Sequence, residues 1–325
     1  MMKKEINRLI CTALCCAPII GFAQTGEGIT SADNLYNEGK KLFQEKNYTA
    51  ALPALKAFVS QKATASLLQE AEYMLACSAY ELKDAHRIEK LRHYMDQYPD
   101  SPHANRIYSL LASSYFYEEN YNEAMALFNA TDLDLLSNEE RADRTYQLAT
   151  CYLKTHNLKE AVIWFEALRA TSDKYTSDCD YYISYIRYTQ KRYNEALKGF
   201  LAAQAHLKYR ALAPYYIAEI YAQLQNYDKA EIVAQNYLSA YPNHAYAGEM
   251  YRILGDVYYH YKQFHRATEA FSQYVSRLKT APRRDALYMM GLSYYQTQVY
   301  SKAAECLGQV TTLQDALAQN AYLHM

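Results

Sequence analysis

The sequence predicts an all-α solenoid: about eight helix-turn-helix repeats plus the start of a ninth. Three observations predict it. Gly (9) and Pro (7) are scarce in 325 residues, so the punctuation that a many-stranded β protein needs is missing. Tyr is abundant, 36 residues with 9 Phe and 1 Trp, and it recurs at helical spacing. A small-residue signal returns every 34 to 37 positions through most of the chain, and a period in that range marks stacked two-helix units.

The first residues are of a different material. Lys3, Lys4 and Arg8 precede an apolar run from Leu9 to Phe22, and Gly21 and Ala23 stand three and one before Gln24. This is the three-part layout of a secretory signal peptide, assigned to 1–23, with cleavage between Ala23 and Gln24 and a short linker at 24–31. The run is shorter than the ~20 residues a spanning helix requires, and no later segment is apolar enough, so no transmembrane span is expected in the mature chain. Removing Lys3, Lys4, Glu5 and Arg8 takes +2 from the net charge of −1 and leaves −3. The leader is bacterial in style, which places the product in the periplasm or at the cell envelope. Cys15 and Cys16 raise a lipid-anchored alternative, but Thr12-Ala13-Leu14 and Ala13-Leu14-Cys15 do not match a Leu-Ala-Gly type of lipobox.

Within the array the second helices align on Ala51, Ala124, Ala161, Ala196, Ala230, Ala267 and Ala303. Successive gaps from Ala124 are 37, 35, 34, 37 and 36, and the 73 residues between Ala51 and Ala124 leave room for one degenerate unit. Four residues after the alanine stands Leu55, Phe128, Phe165, Phe200, Phe271 or Leu307, with Ala234 the exception; three before it stands Tyr48, Tyr121, Leu158, Tyr193, Tyr227, Phe264 or Tyr300. First helices carry Gly39, Cys77, Ala112, Ala149, Ser184, Ala218, Gly255 and Gly291 at their crossing points, all small, as axes closing to roughly 8–10 Å require. Three residues on come Leu42, Tyr80, Tyr115, Tyr152, Tyr221, Tyr258 and Tyr294, with Arg187 breaking the rule. Pro99 and Pro242 end second helices.

The run Tyr108-x-x-Leu111-Ala112-x-x-Tyr115, then Tyr121-x-x-Ala124-x-x-x-Phe128, resembles the tetratricopeptide repeat, and recurrence extends the resemblance over 32–325. Units are placed near 32–65, 70–103, 105–138, 142–175, 177–210, 211–244, 248–281 and 284–317, with a partial unit at 319–325. The second is degenerate: it is about two residues short around Lys83-Asp84-Ala85 and carries Arg87 near the alanine position. The chain stops in the first turns of a ninth unit, which suggests a fragment with more protein to follow.

The resemblance implies a right-handed superhelix whose groove is lined by positions two, five, nine, twelve and thirteen of each first helix. Position five is Tyr36, Tyr146, Tyr181, Tyr215 and Tyr288; position twelve is Phe43, Phe116, Tyr188, Tyr259 and Tyr295; Tyr185 adds a third ring in the fifth unit. Rings with a polar tip give contact area at low entropic cost and still hydrogen-bond, so this rail is the candidate partner-binding surface. The plainer reading is that some of the rings are core filler. The Lys and Asn residues of the family's carboxylate-clamping members are absent from these places.

Chemistry is not indicated. No His-Glu-x-x-His, Gly-x-Ser-x-Gly or phosphate-cradling Gly-rich loop is present, and no catalytic residue, metal or cofactor is expected. His260 with His265 and His86 with His93 read as turn and helix-face histidines. Cys77, Cys151, Cys179 and Cys306 lie at least 28 residues apart, without metal-ligand spacing, and read as small buried thiols. With 34 basic against 35 acidic residues, no nucleic-acid partner is expected. The expectation is a non-catalytic envelope scaffold for a protein or peptide partner. Its alternatives are a glycan-binding protein that stacks sugars on tyrosine, and the N-terminal part of a larger envelope protein.

Overall fold

The computed structural model describes residues 31–61 and 64–325; the signal peptide, its cleavage point and all of the linker but Ser31 lie outside them. Among the described residues there are seventeen α-helices and two short 3-10 turns, and no strand. None of these helices is long and apolar enough to cross a membrane. The chain divides into two compact units, 1–84 and 85–325.

The first unit contains α1 (Ser31–Gln44), α2 (Tyr48–Val59) and α3 (Ala65–Glu81). Asn47 caps α2 by accepting from the Ala50 amide, meeting one of the unpaired N–H groups of a helix start. Ala51, Leu55 and Phe58 are buried in a row on one face of α2. A Cβ added at Gly39 would stand 2.6 Å from the Leu55 side chain, so the glycine is what lets α1 and α2 close.

The second unit begins with α4 (Arg87–Gln97) and continues as hairpins. These are α5 (Ala104–Tyr117) with α6 (Tyr121–Asn129), α7 (Asn138–Lys154) with α8 (Leu158–Thr171), and α9 (Thr176–Thr189) with α10 (Tyr193–Ala203). Then follow α11 (Ala213–Gln223) with α12 (Tyr227–Ala240), α13 (Ala247–His260) with α14 (Phe264–Arg277), α15 (Arg284–Gln296) with α16 (Tyr300–Val310), and α17 (Ala316–Tyr322). Each second helix also packs on the first helix of the next hairpin. The core is therefore a continuous seam of neighbour-to-neighbour contacts.

The seam uses the residues that the periodicity singles out. The alanines at 124, 161, 196, 230, 267 and 303 are all buried, as are Phe128, Phe165, Phe200, Phe271 and Leu307. Opposite them, a Cβ at Gly255 would lie 2.6 Å from the Phe271 ring and one at Gly291 2.8 Å from Leu307, so the crossing position and the large residue after the alanine are direct partners. Cys77, Cys151, Cys179 and Cys306 are buried; desolvation pushes the Cys151 and Cys179 thiols up to about 12 and Cys306 to about 11, so they are unreactive core groups.

Among the described residues, eight other than glycine have left-handed backbone: Lys46, Lys83, Glu119, His156, Lys191, Gln225, Lys262 and Gln298. All but Lys83 sit in the turn between the two helices of a hairpin and reverse the chain there, while Lys83 follows α3 near the end of the first unit. The alanine normally follows this residue by five. After Lys83 the equivalent place, judged from buried Leu91 and Tyr94, is Arg87, four residues on. The degenerate turn is thus one residue short where about two are expected.

Candidate functional site

The first helices of successive hairpins touch one another at α5 and α7, α11 and α13, and α13 and α15, so equivalent residues of consecutive repeats form rows. The tyrosine rail can be followed along these rows.

Position five is largely occupied with packing. Tyr36 is buried against Phe58, ring centroids 5.2 Å apart. Tyr146, Tyr181 and Tyr215 each stack on a ring from the segment that leads into the next first helix. Tyr146 meets Tyr175 at 4.5 Å, Tyr181 meets Tyr209 at 4.3 Å, and Tyr215 meets Tyr246 at 4.6 Å, the planes within 18° of parallel. Tyr181 is buried by this stack, while Tyr146 and Tyr215 are half-buried. Tyr288 is half-buried against the cluster of Leu287, Leu307, Val310 and Ala321.

Two of the stacks are locked by charge. The Tyr175 hydroxyl donates to Asp143 at 2.8 Å and Lys174 pairs with the same carboxylate at 2.5 Å. One repeat on, the Tyr209 hydroxyl donates to Asp178 at 2.8 Å and Lys208 pairs with it. These rings were not singled out from the sequence. Their signal was the dipeptide Lys174-Tyr175 returning as Lys208-Tyr209, each far from its partner acid along the chain.

Position twelve is different. Phe43, Phe116, Tyr188, Tyr259 and Tyr295 each lie against the first residue of their own second helix: Tyr48, Tyr121, Tyr193, Phe264 and Tyr300, at 5.6 to 6.0 Å. One edge is fixed by the inter-helix turn and the rest of the ring reaches solvent; Tyr295 is 41% exposed and the other four are half-buried. Tyr185 is half-buried as well, 5.8 Å from Tyr216. Rings held in one orientation lose little further entropy on binding.

Between these rows, at the first-helix positions of the sixth and seventh hairpins, lies a polar cluster. Arg252, 3% exposed in its side chain, pairs with Glu219, with Glu249 at 2.7 Å and with Asp256 at 2.6 Å. One positive charge cannot neutralise three carboxylates, and the second oxygen of Asp256 accepts no hydrogen bond. Burial pushes Asp256 up to about 7, with Arg252 opposing and Glu219 and Asp285 reinforcing the rise. Tyr188 and Tyr215 both feel Glu219, which raises them, and Arg252, which lowers them; burial raises both more strongly. The cluster therefore borders the rings. His260, by contrast, stacks on Tyr227 at 4.7 Å, away from any second histidine pairing.

The tetratricopeptide repeat family matches at 213–244 and 285–313, the sixth and eighth hairpins. Among solved structures the chain is similar to PilF of Pseudomonas aeruginosa, with 16% identity over 68% of this chain and 97% of that one and a TM-score of 0.53. It is similar to PilW, described as a widely conserved type IV pilus biogenesis factor, with 17% identity over 68% and 100% and a TM-score of 0.51. The apo form of RapI is similar over 90% and 96% at 13% identity, with a TM-score of 0.56. At such identities the likeness establishes fold alone. No curated protein matches the sequence.

Proposed function

We propose that this chain, whose 213–244 and 285–313 match the tetratricopeptide repeat, is a non-catalytic scaffold of the bacterial cell envelope, which holds a polypeptide partner along the tyrosine face of its first helices. The fold is one of protein–protein interaction scaffolds. What supports a peptide ligand here is the set of half-buried, pre-oriented rings Tyr185, Tyr188, Tyr259 and Tyr288, with Tyr188 in the field of the buried Glu219–Arg252–Asp256 cluster. Aromatic faces next to a net-negative polar cluster suit an extended segment with apolar and basic side chains, since the rings take both. Envelope placement is supported by the charge and hydropathy pattern of residues 1–23.

The test is a photo-crosslinking amino acid placed at Tyr185, Tyr188 or Tyr259, with Lys229 on α12 as control, in the native envelope. A single polypeptide captured at the tyrosines and not at Lys229 is the expected outcome. Equal labelling at Lys229, or protection of the rings from modification by soluble glycan with no protein captured, overturns the reading.

A further inference from the structure

The slot three residues after the helix crossing is filled by tyrosine in six repeats, and the fifth treats it differently. The tyrosine hydroxyls reach the residue five after the alanine of the preceding second helix. Tyr152 donates to Asn129 at 3.2 Å, Tyr258 accepts from Gln235 at 3.2 Å, and Tyr294 bonds Ser272 at 3.1 Å. In the sixth, seventh and eighth repeats the residue just before the alanine is a cation over the ring, Lys229 on Tyr221, Arg266 on Tyr258 and Lys302 on Tyr294, whereas Glu123 and Glu160 hold that place in the third and fourth. In the fifth repeat both of these places are acidic and face a cation in the slot itself. Arg187 replaces the tyrosine, Glu166 stands five after the preceding alanine and pairs with it at 2.9 Å, and Glu195 stands just before Ala196, 3.8 Å from Arg187.

Two nearby positions change as well. Asp180 takes the place held by Tyr73, Tyr108 and Tyr251, and Gly199 the place held by Leu127, Trp164 and Val233. Gly199 is required by close approach, because a Cβ there would stand 2.0 Å from the Ser184 hydroxyl. With a short side chain at 180 and none at 199, a cleft of about 230 Å³ lies between α8, α9 and α10, lined among others by Arg169, Asp180, Ser184, Arg187, Glu195 and Lys198. That is smaller than the roughly 300–1,000 Å³ of pockets for drug-sized ligands, so its occupant is a residue-sized molecule.

The charges define that occupant further. Glu195 is already taken by both arms of Arg192, at 2.7 and 2.6 Å. Arg187 spends an Nη on Glu166 and its buried Nε donates to nothing. Lys198 has no ion pair among the described residues. Asp180 has a side chain only 8% exposed; its Oδ1 lies 3.0 Å from Arg169 Nε yet accepts no hydrogen bond. The cleft thus holds a buried guanidinium N–H without an acceptor and an exposed ammonium without an ion pair, beside a carboxylate that pairs with Arg169 but has one oxygen accepting no hydrogen bond.

We propose that this cleft binds a small free α-amino acid, its carboxylate taken by Arg187 Nε and Lys198 and its ammonium by Asp180. A zwitterion supplies an acceptor to Arg187 Nε and a donor to Asp180 Oδ1 at once, which an inorganic anion or an amine alone would not. The site shares no residue with the tyrosine face and stands independently of it.

Isothermal titration of the purified chain with glycine, L-alanine and L-serine tests this. At least one is expected to bind with a Kd below about 1 mM, and its N-acetyl and carboxamide derivatives at least tenfold more weakly. Lys198→Ala, at the rim, should weaken binding at least tenfold without changing helix content. The double substitution Glu166→Gln with Arg187→Tyr rebuilds the pair seen at Gln235 and Tyr258 and should abolish binding while keeping the thermal transition. No saturable binding of any of the three, or equal binding in the Lys198→Ala chain, overturns the proposal. So does N-acetylglycyl-L-alanine binding as tightly as L-alanine, which would assign the cleft to a chain terminus.

Discussion

Arg252 shows how a single residue can couple this protein to pH. Its guanidinium is shared among Glu219, Glu249 and Asp256, and the shortfall falls on Asp256, which burial raises from 3.8 to about 7. A folded pKa above the unfolded one means that protonation favours the folded state. This contribution is full below about pH 4 and is lost as pH rises through 7. Asp256→Asn removes the uncompensated charge and keeps the shape and the bond from Arg252. Thermal melts are expected to show it more stable than the parent by about 1–2 kcal/mol at pH 8, with the gain shrinking toward pH 5. A variant less stable at pH 8, or a gain that does not depend on pH, would show that Asp256 is well paired when ionised.

Among elements, the hairpin is the unit whose geometry is most tightly set. Gly255 on α13 faces the Phe271 ring of α14, and a Cβ at 2.6 Å cannot be accommodated without moving one of them. Alanine is the better helix former by about 1 kcal/mol, yet overpacking a tight crossing costs about 1–3 kcal/mol. The ring is fully buried and has nowhere to turn, so the clash outweighs the propensity. Gly255→Ala is expected to lower stability by about 1–2 kcal/mol in urea unfolding, and Gly255→Ala with Phe271→Leu to recover part of it. If Gly255→Ala alone were stabilising, the crossing would be looser than the packing indicates. The same logic explains why all eight crossing residues are small.

Over the whole second unit the contacts run from each hairpin to the next, so damage should stay local. Phe271→Ala removes a fully buried ring and costs about 3–5 kcal/mol at its site. Hydrogen exchange is expected to quicken in α13, α14 and α15 and to change little in α5 to α8, because a linear array can open in sections. Uniform quickening from α4 to α17 would mean that the unit opens only as one body. The C-terminal α17, seven residues with Tyr322 and Leu323 exposed beside it, should exchange fastest.

The sequence by itself determined the helical class, the period, the crossing residues and the large partners that face them. Those follow from local spacing: Gly39, Gly255 and Gly291 are small, and Leu55, Phe271 and Leu307 are large, at fixed offsets along one chain. Tertiary structure decided which rings are surface. Tyr181 and Tyr188 lie on one helix and look alike in sequence, but Tyr209 covers the first and leaves the second half-open. The covering ring arrives from the next connecting segment, held there by Asp178, and no periodicity of a single helix encodes that. Arg187 was visible only as a departure from pattern until the fold put its partners beside it, and the Arg252 cluster was not visible in the sequence at all. Periodicity reports what repeats; a binding site in a repeat protein is made where a repeat differs, and what the difference faces is set by packing between units.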